Sequence, residues 1–256
     1  MKYVNMNQDF DKLNAEYNDP KKPYRYLAID NFLNEDACDK FSASFPDVSD
    51  SRWFKFDDRD LGGKKNPFEK GMYGIAYVED LPEFSYNIIK ELTSDLFVDY
   101  LKRITGHDDL INDTHREIGQ WAGIRMTSPG GYQGIHSDAR LHPFLGIEKK
   151  LTLVGYLNKD WKPEDSGETE VWTDDMKSCV DKVEPIYNRI FIFENTAKSY
   201  HGVPEVNNWR KSFLTSYLSN EPTTETRPKA EFVKRPGENV EGWDELSKTR
   251  ANLTDY

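Results

Sequence analysis

The sequence has few cysteines and no long apolar run, and each scarcity excludes a class of protein. Only Cys38 and Cys179 occur, far apart and outside any C-x-x-C pattern, so neither a disulfide framework nor a thiolate zinc site is expected. Nowhere do roughly 18 consecutive apolar residues occur, as a membrane-spanning helix requires. The first residues, MKYVNMNQDFDKLN, lack the apolar region of a signal peptide. We therefore expect a cytoplasmic protein with no membrane partner.

An excess of basic charge is also missing. The 34 lysines and arginines are outnumbered by 45 aspartates and glutamates, which gives a net charge of −11. Binding to nucleic acid or to an anionic membrane is favoured by clustered positive charge, so we expect neither partner. A hydrophobic fraction of 37% is enough for a sizeable core, which argues against global disorder. The sequence gives no indication of the oligomeric state.

Residue pattern and composition divide the chain into three segments, within one predicted structural domain. Residues 1–118 contain strand-like and helix-like patterns that predict a supporting region packed on the core. Residues 119–220 hold short strand-like runs separated by turn residues, which predicts a closed or sandwiched all-β core. Residues 221–256 are polar and form a C-terminal tail.

The supporting region has five predicted features, one of which is a short helix over residues 34–45 that Asn34 would cap. We expect a loose lead-in over residues 1–22, a strand over 23–30 and a long surface loop over 46–71. Apolar residues at helical spacing predict one continuous helix over 83–105. The surface loop and the C-terminal tail are the two candidate lids over a site.

The strongest chemical signal is an H-x-D motif with a second histidine far downstream. His136 and Asp138 lie two positions apart, and His201 follows much later. Residues two apart on a strand point to the same side, so the first two can chelate one ion. Two imidazoles and one carboxylate are the ligand set of non-haem iron(II) oxygenases, because they leave positions open for other ligands. We predict that these three residues bind the metal. The remaining histidines His107, His115 and His142 have no partner at ligand spacing, and we expect them on surfaces or loops.

A candidate carboxylate anchor follows the second histidine of the triad. Arg210 and Ser212 are two positions apart, which places a guanidinium and a hydroxyl on the same face of a strand. Arginine binds carboxylates bidentately. The combination predicts a site that holds a metal ion and a small acid side by side.

These residues and their neighbours resemble the 2-oxoglutarate oxygenases of the prolyl 4-hydroxylase type. The similar stretches lie between about Ile124 and Leu218 and read PGGYQGIHSDA, KKLTLVGYLNKDW, SGETEVW, EPIYNRIFIFEN and HGVPEVNNWRKS. The YLNKDW and ETEVW stretches are especially similar to the hypoxia-sensing prolyl hydroxylases and their bacterial relatives.

The resemblance implies a mainly β fold, a double-stranded β-helix of the jelly-roll or cupin kind with flanking helices. It implies Fe(II), 2-oxoglutarate as co-substrate and dioxygen, with ascorbate as an optional reductant. Tyr156 would join Arg210 and Ser212 in binding the distal carboxylate of 2-oxoglutarate. The expected reaction is hydroxylation of an unactivated C–H bond in a prolyl residue of a peptide or protein, or in a free amino acid. Related halogenases carry a small residue where this chain has Asp138, so hydroxylation is favoured over halogenation.

The chain departs from the family pattern in the pocket. Many relatives carry a tyrosine on the strand before the H-x-D motif, where this chain has Met126 or Thr127. Arg125 and Tyr132 are the candidate replacements. The glycine pair common before the ETEVW strand is Ser166-Gly167 here.

Four residues are candidates for the substrate side of the site: Arg125, Tyr132, Arg140 and Trp172. For each, the alternative is an ordinary role in the core or on the solvated rim. Three other functions compete with prolyl-type hydroxylation: hydroxylation of another small metabolite, ligand binding by a non-catalytic β-helix module, and zinc-dependent hydrolysis. The last uses a similar ligand set, but it lacks an evident general base and leaves Arg210 without a role.

Overall fold

The computed structural model describes residues 1–58, 61, 64–75, 77–112, 122–142, 145–227, 229–239 and 241–251. Within these ranges the α-helices, labelled α1 to α5 in chain order, are Phe10–Tyr17, Glu35–Ala43, Glu83–Leu92, Asp95–Thr105 and Trp243–Ala251. The strands, labelled β1 to β12, are Tyr26–Ile29, Trp53–Lys55, Glu69–Ile75, Leu110–Asn112, Ala122–Ser137, Lys149–Tyr156, Thr169–Trp172, Cys179–Val183, Arg189–Glu194, His201–Val203, Arg210–Ser219 and Glu231–Phe232.

The strands form a rolled antiparallel sheet with the path β1-β9-β6-β11-β5-β10-β7-β8. β5 belongs to both halves of the roll. Before residue 128 it pairs with β11, and after residue 131 it pairs with β10, which places His201 opposite His136. The change of partner occurs where Gly130 adopts a φ of 77°, a conformation that glycine takes without strain. The two halves face each other, which confirms the predicted double-stranded β-helix.

Alternating strand positions separate the hydrophobic core from a cavity inside the roll. On β6, Leu151 and Leu153 pack into the main core together with the helices. Thr152 and Val154, on the opposite face of the same strand, line the cavity. This two-residue period is that of a pleated strand, so the face turned towards the helices is apolar and the inward face carries the polar groups.

The predicted helix over 83–105 is wrong as a single element. α3 ends at Thr93, whose hydroxyl donates to the carbonyl of Ile89 (2.9 Å). α4 begins anew with Ser94, whose side chain accepts a hydrogen bond from the backbone N–H of Phe97 (3.3 Å). Serine and threonine favour such caps over helix interiors. The break also turns Leu96 outwards, and this residue is 57% exposed.

Two predicted irregular segments contain regular structure. The lead-in over 1–22 includes α1, which begins at a cap formed by Asp9 and the N–H of Lys12 (3.1 Å). The predicted surface loop over 46–71 contains β2 and the start of β3, and β3 pairs with β5. The lead-in is ordered because Leu13 and Tyr17 are buried in the core.

His107 and His142 lie in loops, as expected, but not on the surface. Both are buried. His107 lies between the hydroxyl of Tyr17 (3.2 Å) and the carboxylate of Glu194 (3.6 Å). His115 lies outside the described residues, as does the predicted segment boundary at 118/119. None of the helices in the described ranges has the length and apolar character that crossing a bilayer requires.

Candidate metal centre and co-substrate pocket

Three side chains meet at one end of the cavity between the two halves of the roll. His136 on β5 and His201 on β10 face each other, and Asp138 follows directly after β5. Nε2 of His136 lies 3.4 Å and Nε2 of His201 lies 3.9 Å from Oδ1 of Asp138. One ligand atom of each residue lies within 4.8 Å of the others. The predicted triad residues are therefore together in space.

The backbone determines the tautomer of both imidazoles. Nδ1 of His136 lies 2.9 Å from the carbonyl oxygen of Gly134, and Nδ1 of His201 lies 2.9 Å from that of Ser199. A carbonyl oxygen only accepts, so Nδ1 carries the proton in both rings. The lone pairs of both Nε2 atoms are then directed towards Asp138. Metal-binding histidines are oriented in this way, by a hydrogen bond from the second ring nitrogen.

The environment keeps both kinds of ligand in the state that binds a cation. Burial lowers the pKa of His201 to about 4, so the ring is neutral at physiological pH. Burial alone would raise the pKa of Asp138, but the charge of Lys149 and the hydrogen bond with His136 hold it well below its usual range. A neutral imidazole beside an ionised carboxylate fits a divalent cation.

Arg210 is a buried cation in the same cavity. It is 7% exposed, and burial lowers its pKa. Its Nε donates to the carbonyl of Gly167 (2.8 Å) and its Nη2 to the hydroxyl of Thr169 (3.3 Å). Among the residues that the structure describes, no carboxylate forms an ion pair with it. A buried charge is costly unless it is paired, so this guanidinium fits an acidic ligand.

The other two predicted co-substrate residues lie at different depths. Ser212 lines the cavity and faces Tyr156 across β11 and β6. Tyr156 is completely buried behind Arg210, with the guanidinium 5.1 Å from the centre of its ring. Its hydroxyl hydrogen-bonds to the hydroxyl of Thr169 (2.7 Å). Tyr156 therefore supports Arg210 through Thr169, and Thr169 is the hydroxyl that reaches the cavity wall.

The part of β5 that precedes the H-x-D motif contributes two residues to the cavity. Met126 packs into the main core, whereas Thr127 and Arg125 line the cavity. The Arg125 guanidinium lies 4.7 Å from the centre of the Phe56 ring. It passes over Gly74, where an added Cβ would come within 2.1 Å of Nη1. The glycine thus leaves the space that the arginine occupies.

The remaining substrate-side candidates do not line the cavity. The Tyr132 hydroxyl donates to the carbonyl of Pro67 (3.4 Å). Arg140 forms ion pairs with Glu148 and Glu225, both at 2.7 Å. The indole N–H of Trp172 donates to the carboxylate of Glu170 (3.2 Å). Their predicted roles towards substrate gain no support from these contacts.

Both candidate lid segments contribute to the cavity wall. Phe56 and Glu69 come from the N-terminal side, and Lys229, Ala230 and Phe232 come from the C-terminal tail.

The C-terminal tail contacts the segment that carries the first two residues of the predicted triad. Phe232 stacks on His136, with ring centres 5.1 Å apart. Arg227 donates to the hydroxyl of Ser137 (2.8 Å) and to the carbonyl of Asp138 (3.1 Å). The tail thus forms part of the site.

Several cavity residues were absent from the sequence prediction. They are Lys149, Thr152, Val154, Thr169, Phe193, Val203, Leu214 and Phe232. Strand alternation from Tyr156 would have identified Thr152 and Val154, and alternation from Ser212 would have identified Leu214. No sequence pattern indicates Phe232, because its strand has only two residues.

Comparisons with known proteins agree with this geometry. The family model described as the 2OG-Fe(II) oxygenase superfamily matches residues 122–219, which include the whole triad and Arg210. A prolyl-4-hydroxylase from Pseudomonas putida superposes with a TM-score of 0.57 at 16% identity, covering 82% of this chain and 99% of that one.

Two further structures share the fold. A Trichoplax adhaerens prolyl hydroxylase in complex with a hypoxia-inducible-factor peptide has a TM-score of 0.56 at 15% identity, covering 82% of this chain and 87% of that chain. A Burkholderia pseudomallei oxidoreductase of the 2OG-Fe(II) oxygenase family has a TM-score of 0.53 at 14% identity, covering 84% and 92%. Residues 122–219 thus match the 2OG-Fe(II) oxygenase superfamily, and the comparisons support an oxidoreductase, a dioxygenase that uses Fe(II), 2-oxoglutarate and dioxygen.

Proposed function

We propose that this protein hydroxylates a prolyl residue or a free amino acid, with Fe(II) held by His136, Asp138 and His201. The observation that carries the proposal is the presence of Arg210 in the same cavity as the triad. A buried guanidinium with no carboxylate partner among the described residues lies where a dicarboxylic co-substrate would bring its far carboxylate.

Each side chain has a distinct task in this proposal. The two histidines present Nε2 atoms whose direction is fixed by backbone carbonyls. Arg210, supported by Thr169 and Tyr156, binds the distal carboxylate of 2-oxoglutarate, and Ser212 adds a hydroxyl. The apolar walls of the cavity exclude water. When bound, Fe(II) would supply the oxidative decarboxylation of 2-oxoglutarate by dioxygen to succinate and carbon dioxide, with the second oxygen atom entering a C–H bond of the substrate.

The substrate would enter on the side of Arg125 and Phe56. These residues line the cavity, and a cation beside an aromatic ring suits a small group that carries both a carboxylate or carbonyl and an apolar ring. Prolyl hydroxylation is further supported by the structural likeness to the Pseudomonas putida and Trichoplax adhaerens enzymes. The alternative is another small metabolite.

A turnover screen tests this function. The purified protein is incubated with Fe(II), 2-oxoglutarate, ascorbate and either proline-containing peptides, free amino acids or a metabolite set. Succinate release is measured, and mass spectrometry identifies a gain of one oxygen atom. The expected result is substrate-dependent succinate from a prolyl peptide or an amino acid. Product formed only from the metabolite set would replace the prolyl assignment by the alternative.

A spectroscopic measurement tests the ligand assignment independently of the substrate. Anaerobic addition of Fe(II) and 2-oxoglutarate should produce a weak visible charge-transfer band, which His136→Ala and His201→Ala should abolish. His142→Ala is the matched control, because His142 is also buried but does not line the cavity. If the wild-type protein shows neither the band nor turnover, the proposal fails in favour of a binding module. Hydrolytic activity dependent on Zn²⁺ would instead indicate a hydrolase.

A further inference from the structure

The two carboxylate oxygens of Asp138 have different surroundings. Oδ1 faces the Nε2 atoms of the two histidines. Oδ2 accepts hydrogen bonds from Nζ of Lys149 (2.8 Å) and from the hydroxyl of Thr152 (2.9 Å). One oxygen therefore points into the triad, and the other is held by donors from β6.

A local irregularity of β6 brings Lys149 to this position. Strict alternation from Thr152 and Val154 would direct Lys150 into the cavity and Lys149 away from it. Between Leu151 and Lys149 the register with β11 shifts, because Tyr217 pairs with Leu151 and the adjacent Leu218 with Lys149. A bulge of this kind redirects side chains beside active sites. Lys149 thereby lines the cavity and is only 5% exposed.

Thr152 is held with its proton directed at Asp138. Its Oγ accepts a hydrogen bond from Nδ2 of Asn195 (3.1 Å). The backbone N–H of Asn195 in turn donates to the carbonyl of Lys150 (2.9 Å). Oδ1 of Asn195 lies 3.3 Å from the same hydroxyl, but the single proton of the hydroxyl goes to the nearer, ionised Oδ2 of Asp138 (2.9 Å). The bonds thus run in one direction, from Asn195 through Thr152 to the carboxylate.

We propose that Lys149 and Thr152 are positioning residues that restrict Asp138 to a single metal-ligating oxygen. This inference rests on the proposed function. A carboxylate can bind a metal through one oxygen or two, and binding through both would occupy a position that the two-histidine, one-carboxylate site must leave open for its other ligands. With two donors on Oδ2, only Oδ1 is available.

The arrangement has a cost in metal affinity. An ammonium group next to the ligand carboxylate repels a divalent cation, because like charges at short range in a poorly solvated site interact strongly. Removal of the ammonium should therefore strengthen metal binding, while the freed carboxylate reduces the room for 2-oxoglutarate. A residue that merely stabilised the fold would have the opposite effect on the metal.

The test compares Lys149→Met with Lys150→Met. Lys150 is adjacent, forms an ion pair with Glu194 (3.5 Å) and does not line the cavity. For Lys149→Met we expect Mn²⁺ to bind about tenfold more tightly, 2-oxoglutarate to bind the Mn²⁺-loaded protein at least about tenfold more weakly, and the visible spectrum of the Co²⁺ form to change. Lys149→Arg should restore all three, and Thr152→Val should show a smaller change in the same direction. Lys150→Met should match the wild type.

Two outcomes would overturn the inference. One is weaker Mn²⁺ binding in Lys149→Met, which would mean that the lysine only supports the fold of the site. The other is an unchanged Co²⁺ spectrum with unchanged 2-oxoglutarate affinity. In both cases the wild-type protein still binds the metal and 2-oxoglutarate, so the proposed function stands. If the wild type binds neither, the proposed function itself fails, and this inference fails with it.

Discussion

His136 and Phe232 stack with ring centres 5.1 Å apart and planes inclined by 29°. One is a proposed metal ligand on the longest strand, and the other belongs to a strand of two residues near the end of the described chain. The same phenylalanine stacks on Phe68 at 4.8 Å. The ring thus links the proposed metal ligand to a small apolar cluster in which Leu61 and Phe68 pack against the C-terminal tail.

Removal of the Phe232 ring should lower both the stability of the protein and its affinity for the metal. For Phe232→Ala we expect a loss of about 3–5 kcal/mol in the free energy of unfolding, measured by denaturant titration, and weaker Mn²⁺ binding. Leu96→Ala is the control for truncation of an apolar side chain, since Leu96 is largely exposed, and it should change both quantities little. Normal Mn²⁺ affinity in a folded Phe232→Ala protein would show that the stacking does not orient His136.

Arg210 should govern co-substrate affinity without affecting the metal. Loss of charged hydrogen bonds to a carboxylate typically costs about 1.5–3 kcal/mol, so Arg210→Gln should raise the KM for 2-oxoglutarate by about 10- to 100-fold. Mn²⁺ binding should remain at the wild-type level. Arg140→Gln is the matched control, because its guanidinium is engaged by Glu148 and Glu225. An unchanged KM in Arg210→Gln would refute the anchor assignment.

Substitution of Gly74 should weaken binding of the primary substrate by displacing Arg125. A Cβ at this position would lie 2.1 Å from Nη1 of the arginine and 3.1 Å from the Phe56 ring, so Gly74→Ala must displace the guanidinium. We expect a raised KM for the primary substrate and an unchanged KM for 2-oxoglutarate. Combining Gly74→Ala with Arg125→Ala should add little to either single change, because both remove the same group. Additive effects would mean that the glycine acts independently.

His107 should make folding sensitive to mild acid. Burial lowers its pKa below the unfolded value of 6.5, so the unfolded chain binds more protons between the two values. This contribution to stability is complete above the unfolded pKa and is lost as the pH falls through the folded one. The stability difference between wild type and His107→Gln, measured by denaturant titration with EDTA present, should therefore shrink from pH 8 to pH 5. Tyr17→Phe keeps the histidine and should retain the wild-type pH dependence. A stability difference for His107→Gln that stays constant with pH would show that His107 does not cause the acid sensitivity.

Sequence reasoning predicted the site residues whose spacing follows from strand geometry. His136 and Asp138, like Arg210 and Ser212, are two positions apart, and a pleated strand places such pairs on one face. The triad and the anchor could therefore be predicted without coordinates. Their convergence depends only on a rolled sheet, which the run of short strands already indicated.

The prediction was less complete where partners come from distant segments. The hydrogen bond between Tyr156 and Thr169 joins β6 and β7. No sequence pattern predicts that these two residues meet. Lys149 faces inwards only because of a register shift. The apolar spacing of 83–105 continues across the caps at Thr93 and Ser94, so periodicity alone could not reveal the break.

The shared strand β5 has a consequence for how the protein loses its ligands. One uninterrupted length of backbone carries Arg125 and Thr127 towards one side of the cavity and His136 towards the other. The distances between these groups are thus set by the backbone of one strand, and they change little while that strand stays paired. Fraying of β5 would disorganise the cation site and the acid-binding pocket in the same event, so partial unfolding should release both ligands together.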